Sequence, residues 1–317
     1  LSYVQHVRSF HGLPVYTFPP YAHPEDLPDA GSVAWRLSCG PYTSDESSDV
    51  YWERFTRMVE LEKVRAVILG HPWYQAFGGS DDDLIGLRSR LTGLEAVFLG
   101  DLEDEESMIS LIGLHDLGGL LEAFPGLREL VVRGGDDLDF PVAGHRNLRS
   151  LRVESGGIPP EAVEHIAAAS LPSLERLELW LGTEDYGGGT TVEQLAPLLA
   201  GEGKPALRHL GLQNSPIQDE LAAALASAPV VPQLRSLSLS MGALSDTGAE
   251  ALLLGQPLTH LQELDLSHHY LSHAMMLRLW TALEPAGVRV NVIGKTEEDE
   301  YYLEMGEEHG RYIAVTE

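Results

Sequence analysis

Leu207-Arg208-His209-Leu210-Gly211-Leu212-Gln213, Leu234-Arg235-Ser236-Leu237-Ser238-Leu239-Ser240 and Leu261-Gln262-Glu263-Leu264-Asp265-Leu266-Ser267 spell one phrase three times. An aliphatic residue stands at the first, fourth and sixth positions of each. Working toward the N-terminus, the same slots hold Leu174, Leu177 and Leu179; Leu148, Leu151 and Val153; Leu127, Leu130 and Val132; Leu94, Val97 and Leu99; and Val64, Val67 and Leu69. Successive copies begin 30, 33, 21, 26, 33, 27 and 27 residues apart. A phrase recurring in register at such intervals predicts a solenoid, in which each unit buries its apolar face against the next. The alternation around the second and third aliphatics predicts one short strand per unit, and the stacked strands form a parallel sheet.

The return paths read as helices where the spacing leaves room. Ile217, Leu221 and Leu225 lie four apart, on one helical face. Thr190 and Glu193 have the spacing of a capping box, which predicts a helix through Leu195 and Leu199. Pro159, Pro160 and Glu161 predict another through Ile166, and residues 245–252 and 272–283 complete the series. A right-handed strand, turn and helix path puts the sheet on a concave face and the helices on a convex one.

On these residues the chain resembles leucine-rich-repeat proteins. Residues 207–271 resemble the ribonuclease-inhibitor type, above all Leu239-Ser240-Met241-Gly242-Ala243-Leu244-Ser245-Asp246-Thr247-Gly248-Ala249-Glu250-Ala251-Leu252. The resemblance implies an α/β horseshoe capped at both ends. One departure concerns the ninth position, where such repeats place Asn or Cys to bond backbone groups in the turn. Here it holds Pro72, Leu102, Gly135, Gly156, Gly182, Ser215, Gly242 and His269. Glycine solves turns by backbone freedom, so Gly135, Gly156, Gly182 and Gly242 are expected to do so here, with less polar satisfaction and an irregular arc. The whole-chain pattern is also similar to an uncharacterised bacterial leucine-rich-repeat family associated with radical and ATP-grasp peptide-modifying enzymes, which implies an accessory role in such a pathway.

Solenoid ends need caps, because a bare terminal repeat exposes its apolar edge. Residues 1–62 are expected to form an N-terminal cap with a degenerate first repeat: strands at 13–18 and 32–37 and a helix at 49–61. The array proper is placed at 63–293, with a last strand at 288–292. Residues 294–317 then form an acidic cap or tail, in which 311–315 could be a further strand. No Gly-, Pro- or Ser-rich linker divides the chain, so one continuous array is favoured over two globules.

Forty-eight acidic residues against 21 basic ones give a formal charge of −27, which repels phosphate backbones and anionic lipid surfaces. Nucleic acid and membrane are therefore not expected partners. The single cysteine, Cys39, excludes an intrachain disulfide, and no apolar run reads as a signal peptide or a membrane span. A cytoplasmic setting fits. Because the sequence opens on Leu1, residues upstream remain conceivable.

Variable outward positions on the strands are the natural contact surface. They run from apolar residues at the front (Ala66, Ile68, Ala96, Phe98, Val131) to Arg133, Arg152, Glu154, Arg176, Glu178 and Trp180, then His209 and Gln213. Arg and Trp are the residue types that anchor protein interfaces. Two alternatives stay open: the N-terminal segment covers the apolar front, and the Arg/Glu pairs form a cross-strand charge ladder. Strand-end loops supply a second surface, a rim carrying Trp73, Tyr74, Asp136, Asp137, Asp185, Tyr186, His269 and Tyr270. Ordinary polar turns would look the same.

Catalytic and metal chemistry find little support. His268, His269 and His273 lack a clear third ligand and supporting partners. The clusters 81–83 and 103–106 lack the spacing of a calcium loop. Cys39 could be a nucleophile, but no separate catalytic domain accompanies it. No serine elbow, phosphate loop or zinc-protease motif occurs. The expectation is a non-enzymatic scaffold that binds a protein or peptide through the concave sheet and rim, without cofactor or metal. The alternative is an enzyme regulator of the GTPase-activating kind, or an enzyme with a site on the rim.

Overall fold

A computed structural model describes residues 3–21, 23–39, 46–75, 78–135, 137–299 and 310–317. Its strands are β1 (Ser9–Phe10), β2 (Leu13–Thr17), β3 (Ala34–Leu37), β4 (Ala66–Leu69), β5 (Tyr74–Gln75), β6 (Gly78–Gly79), β7 (Ala96–Leu99), β8 (Glu129–Arg133), β9 (Ser150–Glu154), β10 (Arg176–Trp180), β11 (His209–Gln213), β12 (Ser236–Ser238), β13 (Glu263–Asp265) and β14 (Arg289–Asn291). Twelve of them make one open sheet in chain order, interrupted only where the antiparallel β5–β6 hairpin loops out. Every pairing from β2 to β14 is parallel; β1 alone folds back antiparallel on β2. The molecule is a leucine-rich-repeat solenoid, and the expected phrase supplies its strands from β4 through β13.

The register explains the core. Leu177 pairs with Leu151 on one side and Leu210 on the other, and Leu237 with Leu210 and Leu264. These second aliphatics, with the first and third, are fully or almost fully buried in one continuous cluster from Phe18 to Val290. Deleting one such side chain costs about 2–5 kcal/mol.

The turns after the strands are solved residue by residue. Gly182 has φ of 71°, and a side chain there would collide with the Gly156 carbonyl, so it conforms to the expected use of glycine. Gly156 does not: its φ is unexceptional, and it is glycine because Thr316 crosses directly over it. His269 takes the part of the absent Asn. It is fully buried, its Nδ1 accepts the Leu271 N–H at 3.0 Å, and its Nε2 donates to the Val292 carbonyl at 2.9 Å. Burial holds the ring below its ordinary pKa, in keeping with this neutral tautomer.

On the return paths lie α1 (Ser48–Met58), α2 (Asp82–Gly86), α3 (Gly118–Ala123), α4 (Pro160–Ala168), α5 (Ala196–Leu199), α6 (Gln218–Leu225), α7 (Asp246–Leu254) and α8 (His273–Leu283). Ser245 and Ser272 cap α7 and α8 through their hydroxyls, accepting from Thr247 and Met275. The helix expected from Thr190 is shorter than its spacing suggested. Residues 192–195 are turns, the Gln194 side chain rather than Glu193 accepts the Thr191 N–H, and only α5 is helical. Lys204, fully buried, closes the end of α4 by donating to the Ala167 and Ala169 carbonyls at 2.7 and 3.0 Å. Residues 311–315 form no strand; they run as a strap across the strand-end turns, with a bend at Ala314. No helix among the described residues is long and apolar enough to cross a membrane.

Candidate functional site

Outward side chains form three columns across the sheet. The first runs Ala34, Ala66, Ala96, Glu129, Ser150, Arg176, His209, Ser236, Glu263, Arg289; the second runs Arg36, Ile68, Phe98, Val131, Arg152, Glu178, Gly211, Ser238, Asp265, Asn291. The third begins, in paired strands, with Arg133 beside Glu154 and continues with Trp180 beside Gln213.

The front of this face is covered by the chain itself. Val7, Phe10, Leu13 and Val15 pack on Ala34, Ala66, Ile68, Ala96, Phe98 and Val131, and the Phe10 and Phe98 rings are 6.0 Å apart. Phe98 and Val131 are therefore buried core and not free contact surface. Polar pairs pin the same segment. His11 places its ring nitrogens 2.9 Å from Glu129 and 3.3 Å from Glu95. Arg36 donates to the Val7 carbonyl and pairs with Asp101. Arg133, only 2% exposed, pairs with Glu154 at 2.7 Å and donates to the carbonyls of Leu102 at 2.6 Å and Gln5 at 3.1 Å.

His6 lies between Asp101 at 3.3 Å and Glu106 at 3.1 Å, and these hydrogen bonds raise its pKa from 6.5 to about 9 against the opposing pull of burial. A folded-state value above the unfolded one stabilises fully below the unfolded pKa, and the gain is lost as pH rises through the folded one. The anchor should thus be strongest below about pH 6.5 and gone above pH 9. The loss should be on the order of 1–2 kcal/mol after allowance for partial solvent exposure. Thermal melts from pH 6 to 9.5 should show this decline in the parent and a flatter profile in His6→Ala; parallel profiles would remove His6 from the anchor.

A second covering crosses the middle of the array at its strand ends. Tyr312 donates its N–H to the Tyr270 hydroxyl at 2.9 Å, Ala314 donates to the Met241 carbonyl at 2.8 Å, and Asn214 holds Val315 twice, accepting its N–H at 3.0 Å and donating to its carbonyl at 2.6 Å. Tyr186 then donates to Glu317. One segment thus ties together consecutive strand-end turns, as an added strand would, with side chains supplying part of the ladder. Val315 enters a small apolar cluster with Val4, Ile109, Trp180 and Met241. Trp180 is accordingly buried where the two termini meet, and not presented to a partner. Gln213 is buried too, donating to Ser238 and Ser240.

What stays open is the first column from β9 onward together with Arg152, Asp265 and Asn291 of the second; Glu178, Gly211 and Ser238 between them are buried. Arg152 and Arg176 are the exposed cations of the expected set, with side chains 33% and 49% accessible. Their partners lie beneath them: Glu154 at 3.0 Å from Arg152, and Glu178 at 2.6 Å from Arg176. Arg152–Glu154 and Arg176–Glu178 close within a strand, while Arg133–Glu154 and Arg289–Glu263 cross between strands. His209 places Nε2 3.0 Å from a Glu178 carboxylate oxygen and Nδ1 2.6 Å from the Ser236 hydroxyl. Burial by itself would raise the Glu178 carboxyl, but the His209 hydrogen bond and the Arg176, His209 and Arg152 charges together outweigh it and hold the pKa at about 2. The order carboxylate, imidazole, hydroxyl is that of a proton relay, laid on open sheet. Ser236 stood in the outward slots of the phrase but carried no local signal of this pairing.

The rim residues divide. Trp73 is 7% exposed, packs on Trp52 and Tyr51, and donates to Asp83; Tyr74 is fully buried beside His115. Both are front core, and His269 is a turn residue, so these three leave the free rim. Asp185 and Asp137 are exposed, Tyr186 and Tyr270 half-buried, while Asp136 lies outside the described residues. Asp81, of the first acidic cluster, pairs with His115. Cys39 is buried, and burial, aided by the Glu46 charge, pushes its thiol up to about 11, which disfavours the nucleophilic thiolate. Among the described residues, no three His, Cys, Asp or Glu side chains are grouped to hold a metal ion.

Residues 232–253 match a leucine-rich-repeat family model. Among solved structures, a protein from Bacteroides fragilis is similar with a TM-score of 0.70 and 28% identity, over 78% of this chain and 70% of that one. The TLR13–ssRNA13 complex matches at a TM-score of 0.45 and 14% identity, over 87% and 35%. A leucine-rich-repeat protein from Leptospira interrogans matches at 0.33 and 16%, over 75% and 62%. No curated protein matches the chain.

Proposed function

From a leucine-rich-repeat solenoid with bacterial relatives, we propose a non-enzymatic, cytoplasmic scaffold that binds a protein or peptide through the uncovered part of its concave sheet and the adjoining rim. The observation that carries this reading is the division of the face: the termini occupy its front and strand-end column, and the open remainder presents Arg152, Arg176, His209 and Ser236 in neighbouring strands. Arginine on a rigid sheet offers fork-shaped donors to carboxylates and backbone carbonyls, and its ordering cost is partly met by Glu154 and Glu178. The charge of −27 argues against a phosphate backbone as the occupant. In its more specific form, the scaffold presents a substrate peptide to bacterial peptide-modifying enzymes.

Arg152→Ala with Arg176→Ala is expected to leave the protein folded with a lowered melting temperature, since buried Glu178 then keeps only His209, and to weaken partner binding by at least about tenfold, the usual cost of losing interface arginines. Titration calorimetry on a partner recovered by crosslinking would measure it, and unchanged affinity would move the contact surface elsewhere. The relay Glu178–His209–Ser236 is the one observation favouring an enzyme instead. Ester turnover abolished by Ser236→Ala would establish that reading.

A further inference from the structure

A cavity of about 540 Å³ opens on the rim between the turn after β10 and the turn after β11. Leu181, Val192 and Ile217 give it an apolar floor, and Glu184, Asp185, Glu193 and Glu220 stand around its mouth. All four carboxylates are exposed, and none has an ion-pair partner among the described residues. That sets them apart from the acids of the concave face, where Asp101, Glu154, Glu178 and Glu263 each have a basic partner. A second observation is independent of charge. Thr190, 6% exposed, lines the same cavity, and its hydroxyl has no hydrogen-bond partner, an omission that buried polar groups rarely tolerate without a ligand or water.

We propose that this cavity binds a basic side chain, arginine or lysine, of an extended peptide. An alkyl stem would lie on Leu181, Val192 and Ile217 while the cationic head meets the carboxylates, the division of labour that amphipathic basic side chains make on protein surfaces. A bare divalent ion fits less well, since it needs several oxygens converging on one point and these acids ring a mouth above an apolar floor. The peptide source is favoured over a free amine by the strap: residues 312–316 are already bonded along this rim, and Tyr186, next in the chain to the cavity residue Asp185, donates to Glu317. The inference rests on the protein- or peptide-binding reading above and names its anchor.

The test uses the full chain and Nα-acetyl-arginine N-methylamide as probe, followed by backbone amide NMR shifts. Saturable shifts confined to residues 181–193 and 215–220 are expected. The neutral citrulline counterpart should give none, and Glu184→Gln with Glu220→Gln should weaken binding about tenfold, the worth of a charge-assisted hydrogen bond. Glu60→Gln with Glu62→Gln, a remote control for general charge, should change nothing. The proposal is overturned if citrulline binds equally, if both double variants weaken the probe alike, or if spermidine or calcium produces the same shifts more strongly. Failure here alongside partner loss in the Arg152/Arg176 variant removes the anchor and keeps the scaffold. Probe binding alongside full partner affinity in that variant keeps the cavity and removes the concave face.

Discussion

Arg133→Ala is expected to destabilise the protein by about 3–5 kcal/mol, the range for breaking a buried ion pair by removing one partner. The guanidinium serves Glu154, the Leu102 carbonyl, the Gln5 carbonyl and, at 3.5 Å, Asp101, and it lies over the Phe98 ring at 5.1 Å. Alanine leaves Glu154 buried with only Arg152 beside it, strands an acceptor at Leu102, and opens a void under the N-terminal segment. Melting should fall by roughly 5–8 °C for a chain of 317 residues. Arg133→Met with Glu154→Gln should recover part of the loss, because no buried charge is then left alone. A single-variant cost under about 1 kcal/mol would show that water reaches and replaces these bonds.

Trp180→Ala is expected to cost about 3–5 kcal/mol as a buried aromatic truncation, and to do so in a recognisable place. From the sequence, Trp180 reads as an interface anchor whose loss leaves folding intact. Its contacts with Val4, Ile109, Met241 and Val315 make it instead the point where both termini are fastened. Amide exchange should therefore accelerate at residues 3–7 and 311–316 well before the sheet itself loosens. Unchanged exchange in both segments would mean that they are held by their polar contacts alone.

Legibility in the sequence followed the range of the interaction. The strands and their inward residues were readable because the phrase repeats every side-chain environment eight times, and the helices starting at Ser245 and Ser272 were readable as stretches, whereas their hydroxyl caps were not read and the capping box read at Thr190 and Glu193 does not form. The covered front was half visible: outward Ala66, Ile68, Ala96 and Phe98 called for a cover and the N-terminal segment stood as one alternative for it, which the structure narrows to the residues around Phe10. Residues 311–315 stood out as a possible strand, but their course as a strap did not. Asn214 and Val315 are 101 residues apart, and no periodicity relates them. His269 was misjudged as a rim contact because an imidazole in a strand-end turn looks free until its two bonds to Leu271 and Val292 are seen to replace those of an asparagine. Trp73 and Tyr74 follow a strand as rim residues would, yet large aromatics beside α1 gain more from the core than from solvent.

The division of the concave face is tested most directly by single-cysteine labelling. Cys39 is buried with a raised thiol pKa, so the parent protein provides a low background. Reporters placed as Val131→Cys, Arg152→Cys and Ser236→Cys sample the covered front and the open remainder of the same sheet. Arg152→Cys and Ser236→Cys should react with maleimide at the rate of exposed thiols, and Val131→Cys at least roughly a hundredfold more slowly, as for a site reached only by local opening. Equal rates at all three positions would contradict a face divided by the chain's own termini.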